Sequence, residues 1–587
     1  MYKAVVLVLA LSLLALAAPD QPLTALPEET PVVTGPALMN PAETVSPVGD
    51  HRPVVGTVDT IGGSTYDWWA NGPAIRMLVN SPGYGIHALF MYSASTSGTT
   101  FPDRNMRYNF YDYNNRSWNW IDPDFMQSGV NTFTYRTGYG SLDARPSDGV
   151  AVISAHHSTS TLAPVLARDM APGAGIFEYL PGEPAIDNYE WPWVSVGHQE
   201  YYQLAMIDYA TSDLLYWTRS TDYTNWDSPL EVPPPQPHPY FPTHQIATSK
   251  VSGSQKVVIT WVNTEALPYP GFYRLSNDGG TTWEPPTDIP WPPAYGGDTT
   301  TSYHITSIFP MFDRNDRMHV VANVMPVVGG TGYVIPAQLW HWCPDNTPNW
   351  SHITTAGCDP ANLGAALGYN AIYACRPSLG EDQYGNLFVA WEQFDSANVE
   401  PGPPERLRAD IFWSSSTDNG QTWTEPTKLT QPSTATNRFP CILDYIEDTV
   451  MVCYIIDQHA GFSIYPEGPV TNNPAVVHKW PNPYAGGIQS GPKAEPFRFT
   501  ACPRPNPFSL GTTIQYFVPS TGKAAIDIFD ITGKPIRSLV SGRRAVGRYS
   551  AVWDGADDAG QKVPAGVYLC RYVLDRHSLT TKLTLTN

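Results

Sequence analysis

The stretch Ser416-Thr417-Asp418-Asn419-Gly420-Gln421-Thr422-Trp423 has a close copy earlier in the chain, Ser276-Asn277-Asp278-Gly279-Gly280-Thr281-Thr282-Trp283. Both copies read S-x-D-x-G-x-T-W. The pattern predicts a tight turn between two strands. In such a turn the aspartate carboxylate accepts N–H groups, the glycine adopts a positive φ, and the tryptophan packs into the core below. Two copies of one turn indicate that the chain is built from repeated units.

This turn resembles the Asp-box, or BNR repeat, of sialidase-like β-propellers. The resemblance implies a β-propeller fold. Because the Asp-box is a folding element, it implies a fold more firmly than a reaction. Less regular copies occur where further repeats would place them, at Cys343–Trp350, Ser220–Trp226 and Asp112–Trp118.

The composition indicates an all-β protein. Charged residues make up 15% of the 587 residues and aromatic residues 12%, and there are 58 prolines and 46 glycines. Such a mixture is poor in helix-forming residues and rich in strand and turn residues. A chain of this length also requires repeats or several domains.

Between residues 56 and 480 one pattern returns seven times, in which a short strand led by a proline is followed by a turn and a strongly apolar strand. The leading prolines are Pro73, Pro146, Pro192, Pro242, Pro310, Pro377 and Pro440. The spacing fits one four-stranded blade per repeat and predicts a propeller of seven blades, or six if the first or last unit is partial. The apolar strands are predicted at Gly85–Tyr92, Val150–His156, Tyr202–Tyr209, Lys256–Val262, Met318–Val324, Asn386–Glu392 and Thr449–Ile456.

The N-terminal segment predicts export. Residues 1–17 combine a positive start at Lys3, an apolar run and the small-x-small end Ala15-Leu16-Ala17, the pattern of a signal peptide. Residues 18–50 form a proline-rich linker, and residues 51–495 are assigned to the propeller. No later segment has enough consecutive apolar residues to span a membrane.

Residues 501–587 have the short alternating strands of a small β-sandwich. The segment resembles the Ig-like domain related to the flagellar-hook capping protein, which ends many substrates of the type IX secretion system. The resemblance implies delivery to the outer surface or the medium, with the type IX machinery as a partner. The alternative is a generic accessory Ig-like domain. The residues that carry the resemblance are Pro505–Phe508, Ile528–Gly533, Trp553–Gly555, Ala565–Tyr568 and Lys582–Leu585.

Charge and cysteine content exclude other classes. The net charge of −20 leaves no basic stripe for nucleic acid. Export permits disulfides, and no cysteine spacing is typical of zinc, so neither a metal nor a cofactor is predicted. The plausible disulfides are Cys343–Cys358, Cys441–Cys453 and Cys502–Cys570, which leave Cys375 free.

Blade geometry predicts where a site would lie. In an antiparallel blade, the innermost strand begins on the face where the second strand ends. Arginines precede three of the leading prolines, and polar residues end several second strands, so we expect these side chains to gather on one rim as ligand-binding residues. The basic residues are Arg145, Arg376 and Arg438, and the polar ones include His157, Asp208, Glu265, Glu392, Asp457 and His459.

Three functions remain open. The first is a surface or secreted propeller that binds a glycan or protein ligand through this rim. The second is a sialidase-type exo-glycosidase, in which the arginines hold a sugar carboxylate. By that resemblance Tyr373 or Tyr445 is the nucleophile, Glu392 its partner and Asp457 the acid. The third is another propeller enzyme, such as a polysaccharide lyase or a different hydrolase. Three converging arginine tips would favour hydrolysis, whereas arginines paired to neighbouring acids would favour binding.

Overall fold

The computed structural model describes residues 55–586 in two compact units, divided between residues 487 and 488. The predicted signal peptide and linker lie outside the described residues. Among the residues described, no helix is long and apolar enough to cross a membrane. Within the range 55–586, the residues that the structure does not describe are 71–73, 97–100, 159–161, 180–187, 199, 210–213, 233–242, 264–269, 294–301, 330, 359–366, 368–370, 432, 466, 486–500, 505, 519–521, 532, 545–546 and 575–576.

The first unit consists of antiparallel sheets that follow one another along the chain. The opening strand is β1 (Thr57–Ser64). The first sheet contains β2 (Leu78–Ser81), β3 (Gly85–Tyr92), β4 (Asn105–Asp112), β5 (Ser117–Trp118) and β6 (Val130–Asn131), with a 3-10 helix at Phe125–Gln127. The second contains β7 (Thr137–Ala144), β8 (Ala151–Ser158), β9 (Leu162–Asp169) and β10 (Phe177–Tyr179). The third contains β11 (Tyr189–Val196), β12 (Tyr202–Asp208), β13 (Leu215–Ser220) and β14 (Leu230–Glu231).

The remaining sheets repeat this order. The fourth contains β15 (Gln245–Thr248), β16 (Val257–Val262), β17 (Gly271–Ser276) and β18 (Thr287–Ile289). The fifth contains β19 (Ser302–Phe312), β20 (Met318–Val328), β21 (Thr331–Gly332), β22 (Ala337–Trp342) and β23 (Trp350–Ala356). The sixth contains β24 (Ala374–Asp382), β25 (Leu387–Glu400), β26 (Arg406–Ser416) and β27 (Thr427–Lys428). The seventh contains β28 (Thr436–Ile442), β30 (Thr449–Asp457), β31 (Asn473–Pro481) and β1, and β29 (Tyr445–Ile446) pairs with β24.

The sheets close into a ring. Strand β1 pairs antiparallel with β31, from Thr57 opposite Lys479 to Ser64 opposite Asn473, so the first strand completes the last blade. The described part of the first unit is therefore an all-β propeller of seven blades built on four-stranded sheets, as predicted. Each predicted apolar strand is the second strand of its blade, and its core-facing residues are buried.

The innermost strands of five blades, β7, β11, β19, β24 and β28, each have a bulge close to their start. The residue at the bulge has a positive φ in four blades: 50° at Tyr139, 46° at Trp191, 55° at Arg376 and 56° at Phe439. Proline follows in three of them, but Gly140 follows Tyr139. The alignment of the second repeat on Pro146 is therefore wrong, because Pro146 lies in the turn after β7, where proline is equally suited.

Neighbouring blades are joined by side chains of the innermost strands. Ser141 Oγ accepts the N–H of Val194 at 2.8 Å, and Ser378 Oγ accepts that of Ile442 at 2.9 Å. Where the ring closes, Cys441 Sγ takes the same role and accepts the N–H of Met77 at 3.2 Å. A small polar atom at this position thus ties one blade to the next.

The two S-x-D-x-G-x-T-W turns lie between the third and fourth strands of their blades, as predicted. In the later turn, Asp418 Oδ1 accepts the N–H of Thr422 at 2.9 Å, and Gly420 has a φ of 77°. Trp423 Nε1 donates to Ser351 Oγ of the fifth blade at 3.1 Å. The turn therefore fastens the sixth blade to the fifth.

The second unit is an Ig-like β-sandwich. One sheet contains β32 (Ala501–Arg504), β33 (Thr512–Val518) and β36 (Gly547–Trp553). The other contains β34 (Gly522–Asp530), β35 (Pro535–Arg544), β37 (Gly566–Leu574) and β38 (His577–Leu585). Trp553 lies fully buried between Phe508 and Tyr568, and this aromatic cluster forms part of the core.

The predicted disulfides are not formed. Cys343, Cys358, Cys441 and Cys453 are buried thiols, although Cys441 and Cys453 are directly opposite on β28 and β30. Cys570 is likewise a thiol, and the side chain of Cys502 lies outside the described residues. These cysteines pack as small apolar side chains, a role that a spacing argument does not separate from a disulfide. The predicted free thiol, Cys375, is also buried.

Candidate functional site

The predicted site lies on the face of the propeller where β2, β7, β11, β15, β19, β24 and β28 begin, which we call the upper rim. The opposite face, which carries the turns between first and second strands, is the lower rim. The structure brings Arg376, Arg438, Glu392 and Asp457 together at the upper ends of the sixth and seventh blades.

Glu392 is the centre of this cluster. Its Oε1 lies 2.5 Å from Arg376 Nη1 and 3.0 Å from Arg438 Nη2, and its Oε2 accepts the N–H of Phe439 at 2.7 Å. All three side chains are at most 2% exposed. Burial alone would raise the pKa of Glu392, but the two guanidinium charges lower it to about 2. Glu392 is thus an ionised anchor for both arginines.

Asp457, the last residue of β30, faces a second buried acid, Asp67. Asp67 Oδ2 accepts the N–H of Ser463 at 2.6 Å, and Asp457 Oδ1 accepts that of His459 at 3.1 Å. The other oxygen of each carboxyl group is buried without a hydrogen-bond partner. Burial raises the pKa of Asp67 to about 6, and burial together with the charge of Asp67 raises the pKa of Asp457 well above its ordinary value.

The charges balance if the two aspartates hold one proton. Arg376 and Arg438 contribute two positive charges, Glu392 one negative charge, and a singly protonated aspartate pair a second negative charge. A buried charge without compensation is strongly unfavourable, so this neutral state is the favoured one. The cluster as a whole is buried at the seam between blades, and its charges are directed at one another.

Arg145 does not join this cluster. It follows β7, in the turn before β8, and therefore lies on the lower rim, contrary to the prediction. Its guanidinium forms an ion pair with Asp148 and donates to Tyr202 Oη at 3.0 Å. This error has the same cause as the misalignment of the second repeat. The prediction places Pro146 at the start of the innermost strand, but Pro146 follows that strand. No arginine triad is assembled from the three predicted arginines.

The other predicted residues are dispersed. Tyr373 is fully buried, its Oη accepts the N–H of Ser396 at 3.1 Å, and burial raises its pKa. Tyr445 lies at the lower end of the seventh blade, with the guanidinium of Arg314 3.9 Å from its ring centroid. Asp208 ends β12 on the upper rim and is half-buried, and Glu265 lies outside the described residues.

His157 belongs to an aromatic surface on the upper side of the second blade, formed by Tyr135, His157 and Tyr179. Tyr135 precedes β7, His157 lies near the end of β8, and Tyr179 ends β10. The ring centroids of Tyr135 and His157 are 4.3 Å apart, and those of Tyr135 and Tyr179 are 6.5 Å apart. The three side chains are half-buried, and the two tyrosines rest on the buried ring of Phe133.

The sequence reasoning found His157 but not its two tyrosine neighbours, and it missed Asp67. The tyrosines lie in different connections, so only the folded blade brings them together. Asp67 stands in the aromatic run Tyr66-Asp67-Trp68-Trp69, where a single acid among core residues is a usable signal of a buried carboxylate.

A separate ionic group occupies the lower rim. The fully buried Asp143 accepts from Lys250 Nζ at 2.8 Å and from the N–H of Val196 at 2.7 Å. Burial opposes ionisation of Asp143, but Lys250 and Arg76 lower its pKa. These contacts join the second, third and fourth blades. The charged groups of this region therefore have a structural role. In the described part of the chain, no group of three His, Cys, Asp or Glu residues is arranged to hold a metal ion.

One family model and several solved structures are similar to parts of this chain. A model of the FlgD Ig-like domain matches residues 511–573. A PL25 polysaccharide lyase, an ulvan lyase, aligns with 68% of this chain and 97% of its own at 12% identity and a TM-score of 0.40. The α-L-arabinanase of Penicillium chrysogenum covers 59% and 94% at 12% identity and 0.35. A Hadza microbial sialidase covers 71% and 68% at 12% identity and 0.33.

Proposed function

We propose that this protein is an exported β-propeller that binds a glycan through its upper rim, with the surface of Tyr135, His157 and Tyr179 as the principal contact. That surface is the observation that carries the proposal. It is formed by three half-buried rings on a rigid blade, and it is supported from below by Phe133.

Sugar rings suit such a surface. The C–H groups on one side of a pyranose pack against aromatic faces, while its hydroxyl groups reach polar atoms at the edge. Tyr135 and Tyr179 each carry a phenolic hydroxyl, and the imidazole of His157 offers a donor and an acceptor. The side chains are already packed against one another, so little conformational entropy is lost when a ligand binds.

The sialidase-type alternative receives less support from the geometry. Arg376 and Arg438 are bound to Glu392 and buried, and Arg145 is on the lower rim. Glu392 and Tyr373 are both buried, so neither is placed for attack on a sugar. By the criterion set out above, arginines paired to neighbouring acids favour binding.

Delivery is the second part of the proposal. Residues 1–17 are proposed as a signal peptide, residues 18–50 as a linker, residues 51–495 as the propeller, and residues 501–587 as a sorting domain for type IX secretion. The match of residues 511–573 to the FlgD Ig-like domain supports an Ig-like domain at this end. The use of the type IX machinery rests on the sequence resemblance.

A glycan array followed by calorimetry on the best ligand tests the binding site. Replacement of Tyr135→Ala or Tyr179→Ala should weaken binding about fivefold each, because a ring contact contributes about 1 kcal/mol. Tyr201→Ala is the matched control, since Tyr201 is a half-buried tyrosine in a turn of the lower rim. Binding that survives both upper-rim substitutions, or that is lost in the Tyr201 variant alone, would contradict the proposal.

A further inference from the structure

The upper rim carries a partly exposed histidine that is paired to a carboxylate, in different blades from the aromatic surface. His459 follows the end of β30 in the seventh blade, and Glu400 is the last residue of β25 in the sixth. His459 Nδ1 lies 2.9 Å from Glu400 Oε1. The His459 side chain is 37% exposed and that of Glu400 is 19% exposed. The pair thus has one member open to solvent and one member held below it.

Glu400 is held in place by two further partners. Its Oε2 accepts the N–H of Ala460 at 2.7 Å and lies 3.1 Å from Arg408 Nη2. Arg408 in turn donates from Nη1 to Val399 O at 3.1 Å. Burial would raise the pKa of Glu400, but its bonds to Ala460, His459 and Arg408 lower it, so the group stays ionised. The orientation of this carboxylate is therefore fixed before any ligand arrives.

An ionised carboxylate only accepts hydrogen bonds, so it selects the tautomer of His459 that carries hydrogen on Nδ1. Nε2 then holds a lone pair. Among the described residues, no hydrogen bond to Nε2 of His459 is found, and the ring is exposed. An imidazole oriented by a carboxylate, with its second nitrogen open, is the arrangement of a general base.

The surroundings limit the reactions that this base can serve. Hydrolysis of a glycosidic bond requires a second carboxyl group on the other side of the bond as acid. The nearest acid along the chain, Asp457, is 2% exposed and bonded to the backbone of His459, so it cannot reach a sugar oxygen. Hydrolysis of a carboxylic ester needs only one such base, because the proton taken from water can be passed to the departing alcohol.

We propose that His459 is a general base that hydrolyses carboxylic esters on the bound glycan, such as O-acetyl groups. This inference rests on the proposed glycan binding. Nε2 removes a proton from water as the water oxygen forms a bond to the acyl carbon. The bond from this carbon to the sugar oxygen then breaks, and the proton on Nε2 passes to that oxygen. Ester and water give acid and alcohol, and the enzyme is regenerated. Glu400 is a positioning residue.

Acetate release from acetylated xylan, acetylated pectin and acetylated mannan by the full-length protein tests the proposal. We expect release from at least one of them, with kcat/KM at least 100-fold lower in His459→Gln, the usual lower bound for loss of a general base. His352→Gln is the matched control, because His352 is a half-buried histidine of β23 that bonds to Thr355. No release from any of the three polymers between pH 5 and 9 would overturn the proposal, as would an active His459→Gln variant.

The positioning role of Glu400 is tested by a separate measurement. Glu400→Gln should lower kcat by up to about 100-fold and leave KM nearly unchanged, because the imidazole of His459 loses the carboxylate that orients it. Glu400→Asp should restore part of the wild-type kcat. An unchanged kcat in Glu400→Gln, or a fall in activity that only follows a lower melting temperature, would refute the positioning role of Glu400.

Glycan binding by the aromatic surface and ester hydrolysis by His459 can be refuted independently of each other. Array binding without acetate release would refute the esterase and leave glycan binding intact. Unchanged glycan binding in Tyr135→Ala and in Tyr179→Ala, with acetate release retained, would refute the aromatic surface as the glycan site and leave the esterase intact. Circular dichroism and the melting temperature of each variant establish that the fold is retained.

Discussion

Replacement of Asp67 by asparagine should stabilise the propeller at neutral pH. Asp67 and Asp457 are buried against each other, and each has one oxygen without a partner. In Asp67→Asn the amide oxygen can still accept the N–H of Ser463, and the side chain can no longer ionise next to Asp457. The variant therefore keeps the existing hydrogen bond and removes a negative charge from the buried pair.

The magnitude follows from the pKa of Asp67, which burial raises from 3.8 to about 6. Each pKa unit corresponds to about 1.4 kcal/mol, so ionisation of Asp67 in the folded protein costs about 3 kcal/mol. A carboxyl group whose pKa is raised in the folded state contributes fully to the free energy of unfolding only when the pH is below its pKa in the unfolded chain. That contribution is lost as the pH rises towards 6. Asp67→Asn should thus equal the wild type near pH 4 and exceed it by up to about 3 kcal/mol at pH 7.

Urea unfolding followed by tryptophan fluorescence, at pH values from 4 to 8, measures this difference. Asp143→Asn is the matched control, in which we expect a loss of stability instead of a gain, because Lys250 and Arg76 lower the pKa of Asp143. Its carboxylate stabilises the fold above the unfolded-state pKa, so the variant should be less stable than the wild type at pH 7 by at least about 3 kcal/mol. A pH-independent difference between Asp67→Asn and the wild type, or a less stable variant at pH 7, would refute the reasoning.

Two further predictions concern the joints between blades. Gly420→Ala should cost more than about 3 kcal/mol of unfolding free energy, since a Cβ there would lie 2.3 Å from His341 Cε1 at a φ of 77°. Gly253→Ala, at a φ of 86° with no atom within 4 Å, should cost only about 1–2 kcal/mol, and equal losses in denaturant titrations would contradict this. Cys441→Ser should keep the melting temperature within a few degrees, because a hydroxyl already fills this role at Ser141 and Ser378, whereas Cys441→Ala should lower it further. The same melting temperature for both cysteine variants would show that this hydrogen bond is unimportant.

The fold could be predicted because its signals are local. The second strand of each blade is largely buried on both faces, so most of its residues are apolar, and β3 coincides with its predicted range Gly85–Tyr92. The S-x-D-x-G-x-T-W turns carry their own hydrogen bonds within eight residues. The innermost strands lack such a signal, since the bulge is marked by proline at Pro192, Pro377 and Pro440 but by glycine at Gly140.

The site was only partly predictable because its contacts span long distances in sequence. Arg376, Arg438 and Glu392 were found, since they stand at equivalent ends of neighbouring blades. Their burial against one another depends on contacts between residues that are far apart in sequence, and no local sequence pattern reveals such contacts. Asp67 is 390 residues from Asp457, and no pattern linked them.

The pairing of β1 with β31 bears on how the chain is made and how it folds. The partners Thr57 and Lys479 are more than four hundred residues apart, so the ring stays open until nearly the whole propeller has been synthesised. A linear array of repeats unravels from its terminal repeats, but a circle fastened by its own first strand has no terminal repeat to lose. A chain truncated before Asn473 would leave β1 as an unpaired edge. The molecule is therefore vulnerable before closure and resistant to stepwise unravelling after it.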